Sequence, residues 1–109
     1  MKNQRQFLRK ALDSTVSVFE AKSHEYVGLL VDCSESGCMI SSASPLPTEA
    51  EYHFTIVDLP VSISSKRSGD LTLKAMWSDK ITSTMYGTGF ELLDSSDKAK
   101  MMFNGYLNA

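Results

Sequence analysis

Two short groups of polar residues in this chain have the types and spacing to bind an anionic ligand. The first is Arg5 and Arg9, which stand four residues apart in the stretch KNQRQFLRK and are two of only three arginines. Each guanidinium is a planar fork that can hold a phosphate bidentately or read the O6/N7 edge of guanine. Because like charges at this spacing repel on a helix or turn, the pair becomes favourable when an anion lies between them.

The second group is the pattern D-x-S-x-x-G in VDCSESGC, formed by Asp32, Ser34 and Gly37. A carboxylate at Asp32 matches the N1–H and N2–H₂ donors of guanine, and Ser34 can donate or accept beside it. Gly37 would let a base or a backbone approach closely. Together with the arginines, these residues fit a ligand that contains guanines and phosphates.

Each group alone also has a plainer interpretation. D-x-S-x-x-G is typical of a turn between two strands, in which Gly37 would supply a positive φ. R-x-x-x-R is equally typical of a solvated basic terminus. The elements that would hold the two groups therefore decide between the interpretations.

Six segments have the alternation and the β-branched or aromatic content of β-strands. They are residues 14–21, 25–33, 37–41, 50–59, 70–78 and 84–93, with polar loops over 42–49 and 62–69. In the fifth segment, one face carries Leu71, Leu73, Ala75 and Trp77, so Trp77 is interpreted as a core residue rather than a stacking surface. Six closely spaced strands in one small domain predict a closed antiparallel barrel.

The last segment, 94–109, changes to helical spacing. Apolar residues recur at i, i+3, i+4 and i+7, namely Ala99, Met102, Phe103 and Tyr106. Asp94 or Ser95 can serve as N-cap, and Asp97 suits the first turn. The predicted fold is thus all-β dominated: a six-stranded antiparallel β-barrel with a C-terminal amphipathic α-helix.

Composition narrows the possible functions of this fold. The chain has 109 residues, 42% hydrophobic and 22% charged, with a net charge of −2, as expected for one globular domain. The acidic balance disfavours binding to a nucleic-acid polymer. No apolar run is long enough for a membrane span, and no apolar stretch follows the basic N-terminus as in a secretory signal.

Neither a metal centre nor a catalytic centre is predicted. Cys33 and Cys38, with His24 and His53, lack the spacing of a structural zinc site. The two cysteines fit a reduced, cytoplasmic protein. No nucleophile with a base and an orienting partner stands out, and no P-loop is present, so we expect neither catalytic residues nor a cofactor.

The two polar groups, in this order, resemble the PilZ domain family. LKAMW and YGTGFELL are similar to the closing strands of PilZ domains. The resemblance implies a six-stranded barrel followed by a helix, and a bacterial receptor for cyclic di-GMP. It implies that Arg5 and Arg9 grip phosphate and guanine, that Asp32 and Ser34 bond a guanine edge, and that Gly37 shapes the turn.

Three further residues are weaker candidates for ligand contact. Gln4 directly precedes R-x-x-x-R, a position thought to influence whether one ligand or a stacked pair binds. Gln6 lies within the motif. Cys38 follows Gly37, where family members often have a second glycine.

The resemblance also implies how such a receptor would signal. Residues 1–13 would form a basic arm that folds over the barrel of residues 14–109 when the ligand bridges them. The new surface would then meet an unidentified protein partner in motility or biofilm control, with the receptor a monomer or homodimer. One alternative is a ligand-independent PilZ-type adaptor; another is a small RNA-binding barrel, which the acidic balance disfavours.

Overall fold

The chain folds as a small β-barrel with one terminal helix, here in a computed structural model that describes residues 10–11, 15–58 and 67–108. The strands are β1 (Lys10–Ala11), β2 (Val16–Glu20), β3 (Tyr26–Cys33), β4 (Gly37–Ser42), β5 (Glu51–Asp58), β6 (Arg67–Lys80) and β7 (Tyr86–Ser95). Helix α1 covers Asp97–Leu107.

Six of the strands close into a ring, which confirms the predicted barrel. Strands β3, β2, β5, β6, β7 and β4 are hydrogen-bonded in that order, and β4 pairs again with β3. Every pairing is antiparallel. Strand β6 begins at Arg67, so the end of the predicted 62–69 loop is strand instead.

The two-residue strand β1 was not predicted from the sequence. It pairs with the end of β3, where Lys10 lies opposite Cys33 and Ala11 lies opposite Asp32. The described part of the chain therefore begins directly beside the D-x-S-x-x-G pattern.

The core lies inside the ring and follows from the alternation of the strands. Successive side chains of a strand point to opposite faces, so every second residue enters the interior. The most deeply buried apolar strand residues are Val16, Val18, Leu30, Ile40, Phe54, Ile56, Leu71, Leu73, Ala75 and Phe90. Phe54 and Phe90 meet edge to face, with ring centroids 5.9 Å apart.

Trp77 is not in the core, so the prediction that it is a core residue was wrong. It is 41% exposed, although Leu71, Leu73 and Ala75 are buried as expected. The register of β6 against β7 shifts between Ala75 and Trp77, where Ala75 faces Phe90 and Trp77 faces Gly89. This bulge inserts Met76 as an extra residue, so the next side chain points outward.

Helix α1 packs on the barrel through the predicted residues. Ala99, Met102, Phe103 and Tyr106 are the buried ones. The N-cap, however, is Ser96 and not Asp94 or Ser95, because Ser95 still belongs to β7 and pairs with Leu71. The Ser96 hydroxyl accepts from the Ala99 amide at 3.2 Å and from the Asp70 amide at 3.0 Å. Asp97 lies in the first turn, as expected.

Candidate functional site

The D-x-S-x-x-G residues form the tight connection between β3 and β4. The Ser34 amide donates to the Gly37 carbonyl at 2.9 Å, which closes the turn. The Ser34 hydroxyl accepts from the Ser36 amide at 3.4 Å, a weak bond that leaves the hydroxyl hydrogen to be donated elsewhere. Ser34 is only 5% exposed, so it also anchors the turn.

Gly37 is required by the packing of two strands, not by a positive φ. No glycine in the described ranges has a positive φ, which corrects the expectation for this turn. Gly37 is buried and pairs with Glu91, and a Cβ at this position would overlap the Phe90 carbonyl oxygen. Gly37 therefore allows β7 to pack closely against β4, and this packing fixes the position of the turn.

Asp32 owes its orientation to a bulge in β3. Leu30 pairs with Ile40, whereas Asp32 pairs with Met39, so Val31 is an extra residue between them. Leu30 remains buried inside the barrel, while Asp32 is half-buried on the outer face. A bulge of this kind re-aims the side chain that follows it.

The cross-strand pairing places Asp32 and Trp77 in one row on the outer face. Asp32 faces Met39, Met39 faces Gly89, and Gly89 faces Trp77. Three strand spacings separate the ends of this row, about 14 Å at the usual 4.7–4.9 Å per spacing. A carboxylate and an indole thus stand at the two ends of a short outward-facing surface.

Glycines in β7 make room for the side chains that lie across the middle of this surface. The Trp77 indole covers Gly89, where a Cβ would overlap the ring. Ile81 and Met39 lie over Gly87 in the same way, each with a terminal carbon 2.7 Å from where a Cβ would stand. The sequence signal for this surface was G-x-G inside a strand, since two glycines at alternate positions let neighbouring groups approach one face of the strand closely.

The remaining predicted site residues fall into two groups. Arg5, Arg9, Gln4 and Gln6 lie outside the described residues. Cys38 lies on the inner side of the barrel wall, fully buried and opposite Cys33. Its thiol is therefore separated by the sheet from the face that carries Asp32.

The described ranges offer little for metal chemistry. Among them, no group of three or more His, Cys, Asp or Glu side chains is arranged to hold a metal ion. None of the helices found there has the length and apolar character needed to cross a membrane.

A closed barrel of six antiparallel strands followed by one helix, with the D-x-S-x-x-G turn beside β1, defines the class of fold. The PilZ domain model matches residues 3–109, and the chain belongs to the PilZ domain family. The PilZ family includes receptors for cyclic di-GMP.

One solved structure has a similar fold at low sequence identity. The Bacillus subtilis inhibitor of motility MotI/DgrA is similar, with a TM-score of 0.63 and 12% sequence identity. The match covers 96% of this chain and 50% of that one, so this chain spans about half the length of its neighbour. At this identity the likeness shows the fold alone. Comparison with curated protein sequences gives no match.

Proposed function

We propose that this chain is a cyclic di-GMP receptor whose ligand bridges the basic arm, residues 1–13, and the turn of β3–β4. The observation that carries the proposal is the pairing of Lys10–Ala11 with Cys33 and Asp32. R-x-x-x-R ends at Arg9, one peptide bond before this strand. The two polar groups that predict the ligand are therefore joined to neighbouring strands.

The chemistry assigned to each group follows from its donors and acceptors. Arg5 and Arg9 would hold phosphate or the O6/N7 edge of guanine through their paired N–H groups. Asp32, on the outer face, would accept from N1–H and N2–H₂ of guanine. Ser34 would contribute its hydroxyl, and Gly37 would act through the position of the turn. Arginine forks and a carboxylate thus divide the recognition of one guanine nucleotide.

Trp77 is an additional candidate ligand contact. Its exposure and its place in the row with Asp32 support a role as a stacking platform for a guanine. Aromatic rings stack on bases because every base has a π-face. A ligand with two guanines would have one base at Asp32 and a second within reach of the indole.

Signal transmission would come from ordering of the part of the arm that precedes β1, because Lys10–Ala11 already pair with β3. Fixing the backbone costs about 1–2 kcal/mol per residue. Charge-assisted hydrogen bonds at about 1.5–3 kcal/mol each have to exceed that cost. The ordered arm would change the outer surface near β1 and β3 and so alter contact with a protein partner. We propose a cytoplasmic receptor without catalytic activity, and motility control is one output that the name of the Bacillus subtilis inhibitor of motility suggests.

The experiment is calorimetric titration of the full chain with cyclic di-GMP, with cyclic di-AMP and GTP as controls. Cyclic di-GMP should bind, and cyclic di-AMP should bind at least tenfold more weakly. Adenine lacks the N1–H and N2–H₂ donors, so its complex would leave the Asp32 carboxylate without them. Equal affinity for both dinucleotides would contradict the assignment of Asp32. Absence of any binding would favour an adaptor that acts through proteins alone.

A further inference from the structure

A buried carboxylate lies beneath helix α1, at the end of β5. Asp58 is fully buried, and its Oδ2 accepts a hydrogen bond from the Arg67 guanidinium and another from the Tyr106 hydroxyl, the latter at 2.8 Å. The guanidinium carbon of Arg67 also lies 6.0 Å from the centre of the Tyr106 ring. One carboxylate oxygen thus joins β5, β6 and the helix.

Among the described residues, this carboxylate has two hydrogen-bond donors, and both donate to the same oxygen. Within the described ranges, Oδ1 of Asp58 has no hydrogen-bond partner. Of the two donors to Oδ2, the Arg67 side chain is 47% exposed, whereas Tyr106 is only 7% exposed. Burial, and then the bond to Asp58, raise the pKa of the Tyr106 phenol, so its proton is retained. Among the described residues, the docked helix therefore supplies the only buried hydrogen-bond donor to Asp58, the Tyr106 hydroxyl.

The same end of the barrel carries the polar turn. Cys33, between Asp32 and Ser34, belongs to the same buried core cluster as Tyr106. A cavity of about 220 Å³ separates Glu35 of the turn from Phe103 and Leu107 of the helix. The Leu92 amide donates to the Ser36 carbonyl at 2.9 Å, which ties the turn to the strand that leads into α1.

We propose that Asp58, Arg67 and Tyr106 form a latch that couples docking of helix α1 to ligand binding at the turn. The coupling rests on the proposed function. A ligand that holds Asp32 and Ser34 also holds Cys33 between them, and so fixes part of the core cluster to which Tyr106 belongs. Bound ligand and docked helix then stabilise each other, and the effect is reciprocal.

The test uses the full chain and the variant Tyr106→Phe, which removes only the hydroxyl. The matched control is Tyr52→Phe. The Tyr52 hydroxyl donates to the Pro47 carbonyl at 2.7 Å, and Tyr52 lies on β5 about 20 Å along the strand from Asp58. Two quantities are measured: hydrogen exchange of the 97–107 amides without ligand, and the affinity for cyclic di-GMP.

In Tyr106→Phe, helix amides should exchange about tenfold faster or more. This factor corresponds to the loss of one hydrogen bond to a charged group. Affinity for cyclic di-GMP should fall by about fivefold or more, and ligand should slow helix exchange in the wild-type chain. Tyr52→Phe should change neither quantity.

The possible outcomes separate the two proposals. Faster helix exchange with wild-type affinity would overturn the coupling, and unchanged exchange would overturn the latch itself. A wild-type chain that does not bind cyclic di-GMP would overturn the proposed function and the coupling with it. If Tyr106→Phe does not fold, Arg67→Lys must shift both quantities in the same directions, because it retains the charge but loses the fork. No shift in either would refute the proposal.

Discussion

Replacing Trp77 by alanine should weaken cyclic di-GMP binding more than it weakens the fold. Stacking of one base on an aromatic side chain contributes about 1–3 kcal/mol, so affinity should fall by about 5- to 150-fold. Full truncation of a buried tryptophan costs about 3–5 kcal/mol of stability. Because Trp77 is 41% exposed and rests on Gly89, its loss should cost less, about 1–2 kcal/mol.

The assay is calorimetric titration of the wild-type chain, Trp77→Ala, Trp77→Phe and Met76→Ala, with thermal unfolding of each. Met76 is the matched control, since it is the adjacent residue, 45% exposed, and is the bulged residue outside the row of paired positions. Trp77→Phe keeps an aromatic face and should retain most of the affinity. Binding by Trp77→Ala within about twofold of wild type, or an equal loss in Met76→Ala, would refute the stacking role.

Three other changes test the arm and the turn. Arg9→Lys keeps the charge but loses bidentate contact, so titration should show a loss of about 1–3 kcal/mol in binding; unchanged affinity would reduce Arg9 to a diffuse charge. Deleting residues 1–9 leaves β1 at Lys10–Ala11 and should give a cooperatively folded chain without measurable binding; tight binding by the truncated chain would place the site elsewhere. Gly37→Ala puts a methyl group on the Phe90 carbonyl oxygen, so chemical denaturation should show a stability loss of at least about 1–3 kcal/mol; wild-type stability would show that the strands can separate without cost.

The barrel and the buried face of the helix could be predicted because both depend on periodicity. Leu71, Leu73 and Ala75 alternate inward, and Met102 with Tyr106 follows the helical repeat. Burial of apolar side chains enforces these repeats along the whole length of an element. The repeat of apolar residues within each element was therefore enough to predict the barrel and the buried face of the helix.

The outer-face surface could not be predicted in the same way. A bulge shifts the alternation by one residue, and nothing in the composition around Met76 marks one, so Trp77 was assigned to the wrong face. Strand β1 has two residues, too few to show alternation. Ser96 was missed as N-cap because Asp94 and Ser95 are equally good capping residues by type, and only the pairing of β7 excludes them.

The closure of the ring restricts how any partner protein can recognise this domain. Strand β3 is paired on both sides, by β1 and β2 along one and by β4 along the other, and the other barrel strands also have two neighbours. Among the described strands, short edges stay open: β1 has two residues, and β6 pairs with β5 only over residues 67–74, so its last residues pair with β7 alone. Strand addition by a peptide, or edge-to-edge aggregation, would be confined to these short edges. Elsewhere on the barrel wall, where the strands are paired on both sides, a partner has to recognise side chains, and its specificity there will depend on surface substitutions rather than on backbone hydrogen bonds.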